Sequence, residues 1–243
     1  LLQAAHHEPR SLLGYHEFAR TDGQPLAMVR VFEPGAESVA VFWEDDAAEG
    51  AHELKRVHDA GIFEGSIPYR RPLVPYRLRV RFQGGNEVVK HDTYFFSHEL
   101  SDFDLHLFGE GRHYGLYHKF GAHPRVREGV SGVHFAVWAP NAKRVSVVGD
   151  FNLWDGRKHA MQARGSSGVW ELFVPGIGEG AAYKYEIRAQ GGEILMKSDP
   201  FGFRMQLRPE TASIVSDLDG YTWGDDKWIQ DRARTDWRRA PIN

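Results

Sequence analysis

Short runs of apolar or alternating residues recur along the chain, separated by Gly, Pro, Asn and Asp, which predicts an all-β protein. The alternation is clearest in YRLRVRF (76–82), where four apolar residues fall on one face and three arginines on the other, as a half-buried strand requires. In the first half the predicted strands are MVRVF (28–32), SVAVFW (38–43), GIFEGSI (61–67), YRLRVRF (76–82) and EVVKHDT (87–93). In the second half they are VHFAVW (133–138), VSVVGDF (145–151), VWELFV (169–174), YKYEIRA (183–189), ILMKS (194–198) and ASIV (212–215).

The two sets of strands resemble each other at a nearly constant spacing. The matching blocks are VRVFEPGAESVAV (29–41) with FAVWAPNAKRVSV (135–147), GIFEGSI (61–67) with GVWELFV (168–174), YRLRVRFQGG (76–85) with YKYEIRAQGG (183–192), and HDTYFF (91–96) with SDPFGF (198–203). The offset is 106 positions in the first pair and 107 in the other three. A spacing held through four blocks predicts the tandem duplication of one module of about 100 residues, a typical size for a β-sandwich.

We therefore predict an all-β fold of two tandem immunoglobulin-like β-sandwiches joined by a short, partly helical connector. The expected boundaries are a first sandwich at 1–100, a connector at 101–113, a second sandwich at 114–224 and an exit linker at 225–243. In the connector, Ser101 or Asp102 can cap a short helix that runs through Leu107, and Gly109 can end it. The chain starts LLQAAHHEPR, without an initiator Met or a signal-peptide pattern, so we expect it to be part of a longer protein.

Composition narrows the possible partners. The 243 residues carry a net charge of −3, which gives no broad basic field for nucleic acid or acidic lipid. No apolar run approaches the roughly 20 residues that span a bilayer. We predict neither a nucleic acid nor a membrane as partner. The absence of cysteine excludes disulfides and thiolate metal sites and favours a reducing, cytoplasmic location.

No cofactor or metal site is predicted either. The 13 histidines do not show the paired i, i+4 spacing with a carboxylate that zinc hydrolases use. The glycines at 109–111 and 176–180 lie in turns and not in the strand–loop–helix unit that binds phosphate. Asp199 in SDPFGF is interpreted as a turn carboxylate that binds backbone N–H groups.

The stretch GDFNLWDG (149–156) carries the candidate chemistry. A pyranose ring needs a flat apolar surface for its C–H face and polar groups for its hydroxyls. Trp154, with Asn152 and Asp155 beside it, supplies both. The alternative is a Trp that folds back to close the sandwich, with its indole N–H bonded to a carbonyl. The first copy has FWEDDAAEGAHELKRVHDA at the corresponding position, and this sequence has no motif that matches GDFNLW.

The other tryptophans suggest structural roles. Core filling is predicted for Trp138 and Trp43, which lie in strands. The tryptophans of the exit segment are expected to pack against a neighbouring domain and to leave apolar surface exposed in this chain; they are Trp223, Trp228 and Trp237.

The second copy resembles the carbohydrate-binding module family 48 of starch- and glycogen-acting enzymes. The residues that carry the resemblance are GVHFAVWAPNAKRVSVVGDFNLWDG, GVWELFVPG, YKYEI and KSDPFGF. With the lead-in GLYHKFGAHP, the tail LRPETASIV and the degenerate first copy, essentially the whole chain resembles the amino-terminal half of bacterial 1,4-α-glucan (glycogen) branching enzymes.

The resemblance implies an α-glucan ligand, such as glycogen or a malto-oligosaccharide, held by Trp154 and by the strand residue Lys184. It also implies a second partner, the catalytic (β/α)₈ barrel of the same enzyme, in which two carboxylic residues cut an α-1,4 chain and rejoin it as an α-1,6 branch. None of the barrel's motifs occurs here, so we expect this chain alone to be inactive. The sequence AQGGEILM (189–196) lacks the second Trp that such modules often carry, which predicts weak binding.

Three other functions stay open on the sequence alone. The chain could be a stand-alone glucan-targeting or regulatory module, or a purely structural module without sugar affinity. It could also be the amino-terminal region of a related debranching or trehalose-forming enzyme. The duplicated first copy argues against a stand-alone module, and the lead-in and tail motifs favour a branching enzyme.

Overall fold

The computed structural model describes residues 6–19, 25–44, 50–218, 220 and 222–236. Within these ranges every paired strand runs antiparallel to its neighbours, which confirms the predicted all-β class. The strands of the first half are β1 Gly14–Ala19, β2 Pro25–Phe32, β3 Ala36–Phe42, β4 His52–His58, β5 Ile62–Ile67, β6 Arg77–Phe82 and β7 Glu87–His91. Helix α1, Asp102–Gly109, follows them.

The strands of the second half are β8 Gly121–Arg127, β9 Val130–Trp138, β10 Ala142–Gly149, β11 Gln162–Ala163, β12 Val169–Pro175, β13 Ala182–Ala189, β14 Ile194–Lys197, β15 Arg204–Met205 and β16 Ser213–Ile214. Helix α2, Asp226–Arg234, follows β16.

The first sandwich is one continuous path of strands, β1-β2-β5-β4-β3-β6-β7, folded over a shared core. Strand β4 makes the fold possible because its first half pairs with β3 and its second half pairs with β5. Most residues of β4 are exposed, so it has little apolar patterning and the sequence did not predict it. Strand β1, whose second half is exposed, was missed for the same reason.

The second sandwich repeats this order. One sheet is β11-β12-β9-β8, and the other is β10-β13-β16-β15 with β14 on the far side of β13. A bridge between Ser146 and Ala160 connects β10 to the segment that leads into β11, as β3 connects to β4 in the first sandwich. Strand β8 was not predicted because Pro124 and charged residues interrupt its apolar pattern.

The strand registers of the two sandwiches agree residue for residue. The corresponding pairs are Val31–Phe63 with Val137–Trp170, Val39–Val80 with Val145–Ile187, Leu78–Lys90 with Tyr185–Lys197, and Tyr15–Val29 with Ala122–Phe135. Each residue of a second pair lies 106 or 107 positions after its counterpart. A slip of one residue would turn every core side chain outward, so preserved register is strong support for a duplicated design.

A buried tyrosine–aspartate pair also recurs at this offset. The Tyr76 hydroxyl donates to Asp92 at 2.6 Å, and the Tyr183 hydroxyl donates to Asp199 at 2.6 Å. Asp199 also accepts from the Phe201 backbone N–H at 2.8 Å, so it holds its turn as predicted. Burial raises the pKa of Asp199 despite the hydrogen bonds from its partners.

The connector covers one sheet of the second sandwich. Helix α1 starts with a capping box, in which the Ser101 hydroxyl accepts from the Asp104 N–H and the Asp104 carboxylate accepts from the Ser101 N–H. The predicted cap at Ser101 is confirmed, and the helix runs through Gly109, two residues beyond the predicted Leu107. Leu105 and Phe108 of the connector, with Leu100 before it and Phe120 after it, pack against β9 and β12 and cover the second face of that sheet. The sandwiches also touch directly, because Leu13, Phe32 and Tyr94 of the first belong to the core of the second.

Candidate functional site

The candidate site is the turn at 149–156, which follows β10. Asp150–Asn152 form a single 3₁₀ turn, and the next two residues, Leu153 and Trp154, both have φ of +59°. This left-handed region is unfavourable for a bulky side chain, at about 1–3 kcal/mol per residue, and it persists only where the surroundings enforce it. Two such residues in succession mark the turn as a place where the fold accepts strain.

Asn152 enforces the turn from inside. Its side-chain oxygen accepts from the Gly149 N–H at 3.0 Å, and its amide donates to the Val147 carbonyl at 2.9 Å and to His159 Nδ1 at 2.8 Å. Only 2 % of Asn152 is exposed. Asn152 was predicted to contact sugar, but its side-chain oxygen and amide already have partners within the protein, so this geometry gives that prediction no support.

The two glycines that flank the turn allow it to lie close to β13. A Cβ on Gly149 would collide with the Ala182 carbonyl, and a Cβ on Gly156 would collide with the Glu186 carboxylate. Arg144 holds the Gly156 end of the turn, because its guanidinium donates to the Gly156 carbonyl at 2.6 Å and pairs with Glu186. The turn is thus held against the outer face of the five-stranded sheet.

Trp154 is partly open to solvent and is held in one orientation. It is 36 % exposed, and its indole Nε1–H donates to Asp150 Oδ1 at 2.8 Å. Its backbone N–H donates to the Gly149 carbonyl at 2.9 Å. The acceptor of the indole is a carboxylate in the same turn and not a backbone carbonyl of the core. Trp154 therefore presents indole surface to the outside, which a Trp sealed in the sandwich end could not do.

Lys184 projects from the outer face on which the turn lies. On β13 the alternation buries Tyr183 and Tyr185 in the core, so Lys184 and Glu186 point the other way. Lys184 sits opposite Val148, one residue before the turn begins, and its Nζ donates to Thr211 Oγ1 at 2.7 Å. The ammonium group is thereby held near the sheet surface with donors left for a ligand.

Asp155 is half-buried and is largely engaged by a neighbour. The guanidinium of Arg157 donates to its two carboxylate oxygens at 2.9 and 2.7 Å, and the Arg157 backbone N–H donates at 3.0 Å. The hydrogen bonds from Arg157 lower the pKa of Asp155 below its usual value. Its carboxylate is an acceptor at the rim of the turn at neutral pH.

Strand β14 adds an apolar residue beside this face. Met196 lies opposite Glu186, so the two share the outer face, and it is 44 % exposed. No sequence pattern predicts this role for Met196, because a methionine in an edge strand has nothing that distinguishes it. Its side chain is smaller and more flexible than the second Trp that modules of this family often carry, which is absent from this sequence.

The remaining tryptophans divide into two groups. Trp43 is buried, with Nε1–H donating to the Val74 carbonyl at 3.4 Å, as predicted. Trp138 is 52 % exposed, so the prediction of core filling is wrong. It is the last residue of β9, and Phe108 of α1 packs edge-on against its ring at a centroid distance of 6.0 Å. Trp223 and Trp228 are exposed as expected, and Trp237 lies outside the described residues.

A second polar cluster fastens the segment that enters the connector to the second sandwich. Glu171, 2 % exposed, accepts from the backbone N–H groups of Glu99 and Leu100 at 2.9 and 3.1 Å and from His134 Nε2 at 2.9 Å. It also pairs with Arg164. Burial alone would raise the pKa of Glu171, but the hydrogen bonds from His134, His98 and the Glu99 N–H outweigh it and hold the pKa well below its usual range.

This cluster is closed to a substrate and is structural. Within the described residues, no group of three or more His, Cys, Asp or Glu is placed to hold a metal ion. In that same part of the chain, no helix is long and apolar enough to cross a membrane.

Comparison with known proteins shows which family this sequence matches. Residues 1–94 match the N-terminal domain of the alpha-1,4-glucan branching enzyme GlgB, and residues 119–202 match carbohydrate-binding module 48, the isoamylase N-terminal domain. Nearly the whole chain matches the amino-terminal region of the 1,4-α-glucan branching enzyme family. Of the site residues, Trp154, Asp155 and Lys184 all fall in the part that matches the carbohydrate-binding module.

Relatives of this family match along nearly the whole chain. The 1,4-alpha-glucan branching enzyme GlgB of Thermosynechococcus vestitus is 48 % identical over 98 % of this chain and 30 % of its own length. That of Rubrobacter xylanophilus is 49 % identical over 98 % of this chain and 31 % of its own length. The chain thus spans about 30 % of the length of these relatives.

A likeness to solved structures is much weaker. The pullulanase from Anoxybacillus sp. LM18-11 aligns with 84 % of this chain and 28 % of its own, at 17 % identity and a TM-score of 0.34. A score of that size identifies no closer relationship.

Proposed function

We propose that this chain is the non-catalytic amino-terminal part of a 1,4-α-glucan branching enzyme of glycogen biosynthesis. In this proposal its two sandwiches orient the catalytic domain and contribute weak binding of α-glucan. The single observation that carries the binding proposal is the exposed, carboxylate-oriented indole of Trp154 on the sheet face that also bears Lys184.

The chemistry of this face suits a neutral sugar chain. The indole offers an apolar plane for the C–H face of a glucose unit, and the ammonium of Lys184 offers donors for its hydroxyl oxygens. Asp155, at the rim, offers an acceptor. These groups are fixed before a ligand arrives, because the turn is bonded internally at Asn152 and Asp150, which lowers the entropic cost of binding.

The binding should be weak on its own. Trp154 is one large platform, and Met196 and Ile194, which lie opposite Glu186 and Arg188, add smaller exposed apolar surfaces on this face of the sheet. We expect a dissociation constant near or above 1 mM, roughly −4 kcal/mol. In the full-length enzyme, further glucan sites would raise the effective affinity by avidity.

The branching reaction itself belongs to another part of the enzyme in this proposal. The described residues form antiparallel sandwiches, which hold none of the parallel βα units from which a (β/α)₈ barrel is built. We propose the first sandwich at 1–100, the connector at 101–113, the module at 114–224 and the lead toward the catalytic barrel at 225–243. The exposed rings of Trp223 and Trp228 would contact that barrel, and the enzyme would act in the cytoplasm.

Affinity electrophoresis in native gels containing glycogen tests the proposal. The chain should be retarded by glycogen, and Trp154→Ala should abolish most of the retardation. Trp228→Ala, which removes another exposed indole far along the chain in α2, is the matched control and should migrate like the parent. Equal retardation of Trp154→Ala and the parent would remove Trp154 from the site. The chain alone should form no α-1,6 branches from amylose.

A further inference from the structure

A cleft runs between the two sandwiches and reaches the candidate site. Its volume is about 650 Å³. One wall is formed by β6 and β7 of the first sandwich, and the other by 150–153, Lys158, His159 and 174–177 of the second. The volume falls within the range of small-molecule sites, about 300–1,000 Å³.

The strained turn contributes to the cleft and to the Trp154 face at once. Leu153 is 81 % exposed and lines the cleft, whereas the next residue, Trp154, does not line it. Asp150 also lines the cleft, and its carboxylate accepts a hydrogen bond from the indole N–H of Trp154. The cleft and the exposed indole therefore adjoin the same turn.

The lining combines apolar surface with neutral or internally paired polar groups. Val88, Val89 and Leu153 expose 39 %, 44 % and 81 % of their surface. Arg77, Lys90 and Lys158 line the cleft together with the carboxylates of Glu33 and Asp150. Lys90 pairs with Glu33 and Arg77 pairs with Glu44, so Lys158 and Asp150 balance the remaining charge. His159 is neutral, because burial, with Lys90 and Lys158 nearby, lowers its pKa to about 3.

Strand β7, whose residues 88–91 line the cleft, is also an edge strand. It is the last strand of its sheet in the described part of the chain, so one edge of it has no strand partner there. The N–H and C=O groups of a free edge can donate to and accept from hydroxyls. An anion would find no surplus of positive charge here, and a wholly apolar ligand would leave these polar groups unpaired. A neutral polyhydroxylated chain needs no positive charge, and its hydroxyls can pair with the polar groups of the cleft.

We propose that the cleft is a second subsite for α-1,4-glucan, which takes a short linear segment of the same chain whose next glucose unit lies on Trp154. This inference rests on the proposed glucan binding at Trp154. It assigns the first sandwich a binding role, since one wall of the subsite is strand β7.

Binding of two different ligands distinguishes the cleft from the Trp154 subsite. Maltoheptaose is linear and can enter the cleft, whereas β-cyclodextrin is a closed ring of glucose units that can cover an exposed indole but has no free end to insert. Leu153→Asn removes the apolar contact from the second sandwich while placing at φ +59° a residue that tolerates this conformation. Val89→Arg obstructs the cleft from the first sandwich, and Val57→Arg, an equally exposed valine of β4 outside the cleft, is its matched control.

Affinities of the 243-residue chain for both ligands would be measured by NMR titration. Leu153→Asn and Val89→Arg should each weaken maltoheptaose binding by about five-fold or more, since a lost apolar contact is worth about 1 kcal/mol, and should leave β-cyclodextrin binding unchanged. Val57→Arg should change neither affinity. Trp154→Ala should weaken both.

Three results would overturn the inference. These are unchanged maltoheptaose affinity in the two cleft variants, an equal loss for both ligands, or the same loss in Val57→Arg. In each case the proposed binding at Trp154 stands if Trp154→Ala still weakens both ligands. If Trp154→Ala weakens neither ligand, the proposed binding at Trp154 fails, and the cleft inference fails with it.

Discussion

Replacement of Glu171 by Gln tests whether the connector is fixed by a buried charge. The carboxylate accepts from two backbone N–H groups, from His134 and from Arg164, and it is 2 % exposed. Gln keeps the shape but exchanges one acceptor oxygen for an NH₂ group that faces donors. It also leaves the Arg164 guanidinium without its buried counter-charge. Removal of one partner from a buried ion pair costs about 3–5 kcal/mol.

The difference in unfolding free energy between the parent and Glu171→Gln should decrease as the pH falls. The pKa of Glu171 is well below its ordinary value of 4.5 in the folded chain, so the folded state binds fewer protons than the unfolded state as the pH falls. Stability from this group is thus fully present above pH 4.5 and is lost progressively below it. Urea denaturation at pH 7 should show the full difference between parent and Glu171→Gln, and the difference should shrink at pH 4 and below.

Glu210→Gln is the control, because Glu210 is exposed and should change the free energy of unfolding by less than about 0.5 kcal/mol. A Glu171→Gln variant as stable as the parent at pH 7 would refute the reasoning. So would a difference that grows as the pH falls, since that would mean that protonation stabilises the cluster.

Three further predictions concern the turn and the repeated tyrosines. Asp150→Ala should weaken glycogen retardation because the indole of Trp154 loses its acceptor, whereas Asp150→Asn, which can still accept, should bind like the parent. Asn152→Ala should lower the free energy of unfolding by about 1–3 kcal/mol, measured in urea, since it leaves buried backbone groups unpaired. Tyr76→Phe should destabilise the chain more than Tyr183→Phe in the same assay, because a second tyrosine hydroxyl still donates to the aspartate partner of Tyr183.

The strands that form the cores could be predicted because their apolar alternation repeats. Every run predicted from the sequence overlaps an observed strand, and the offset found in four sequence blocks reappears in the strand registers. The helix start at Ser101 was also predictable, since a capping box depends only on residues three positions apart. These features are local or periodic, so one sequence is enough to show them.

Features that depend on distant contacts could not be predicted. The amide of Asn152 was expected to face a ligand, but its partners Val147 and His159 come together only in the folded turn. Trp138 was assigned to the core because it lies in a predicted strand, yet it lies on the face that the connector covers incompletely. Strand β4 joins two sheets with few buried residues, so its role follows from topology and not from its composition.

The pairing of Trp154 with the outer sheet face shows the same limit. The sequence identified both Trp154 and Lys184 as candidates, but only the fold shows how the turn is fixed against β13 by Gly149 and Gly156. The left-handed backbone at 153–154 could not be anticipated, because neither Leu nor Trp favours it. That strain is explained by the interactions of Asn152, which is why a change at Asn152 should disturb the site without touching the indole.

The central claim is that α-glucan contacts the indole of Trp154, and an NMR titration tests it most directly. In a ¹H–¹⁵N spectrum the indole resonance of Trp154 can be assigned by its loss in Trp154→Phe. On addition of maltoheptaose we expect that resonance to shift in a saturable way, while the indole resonance of Trp228 stays in place. A Trp154 resonance that does not move at ligand concentrations that saturate the chain would contradict the account.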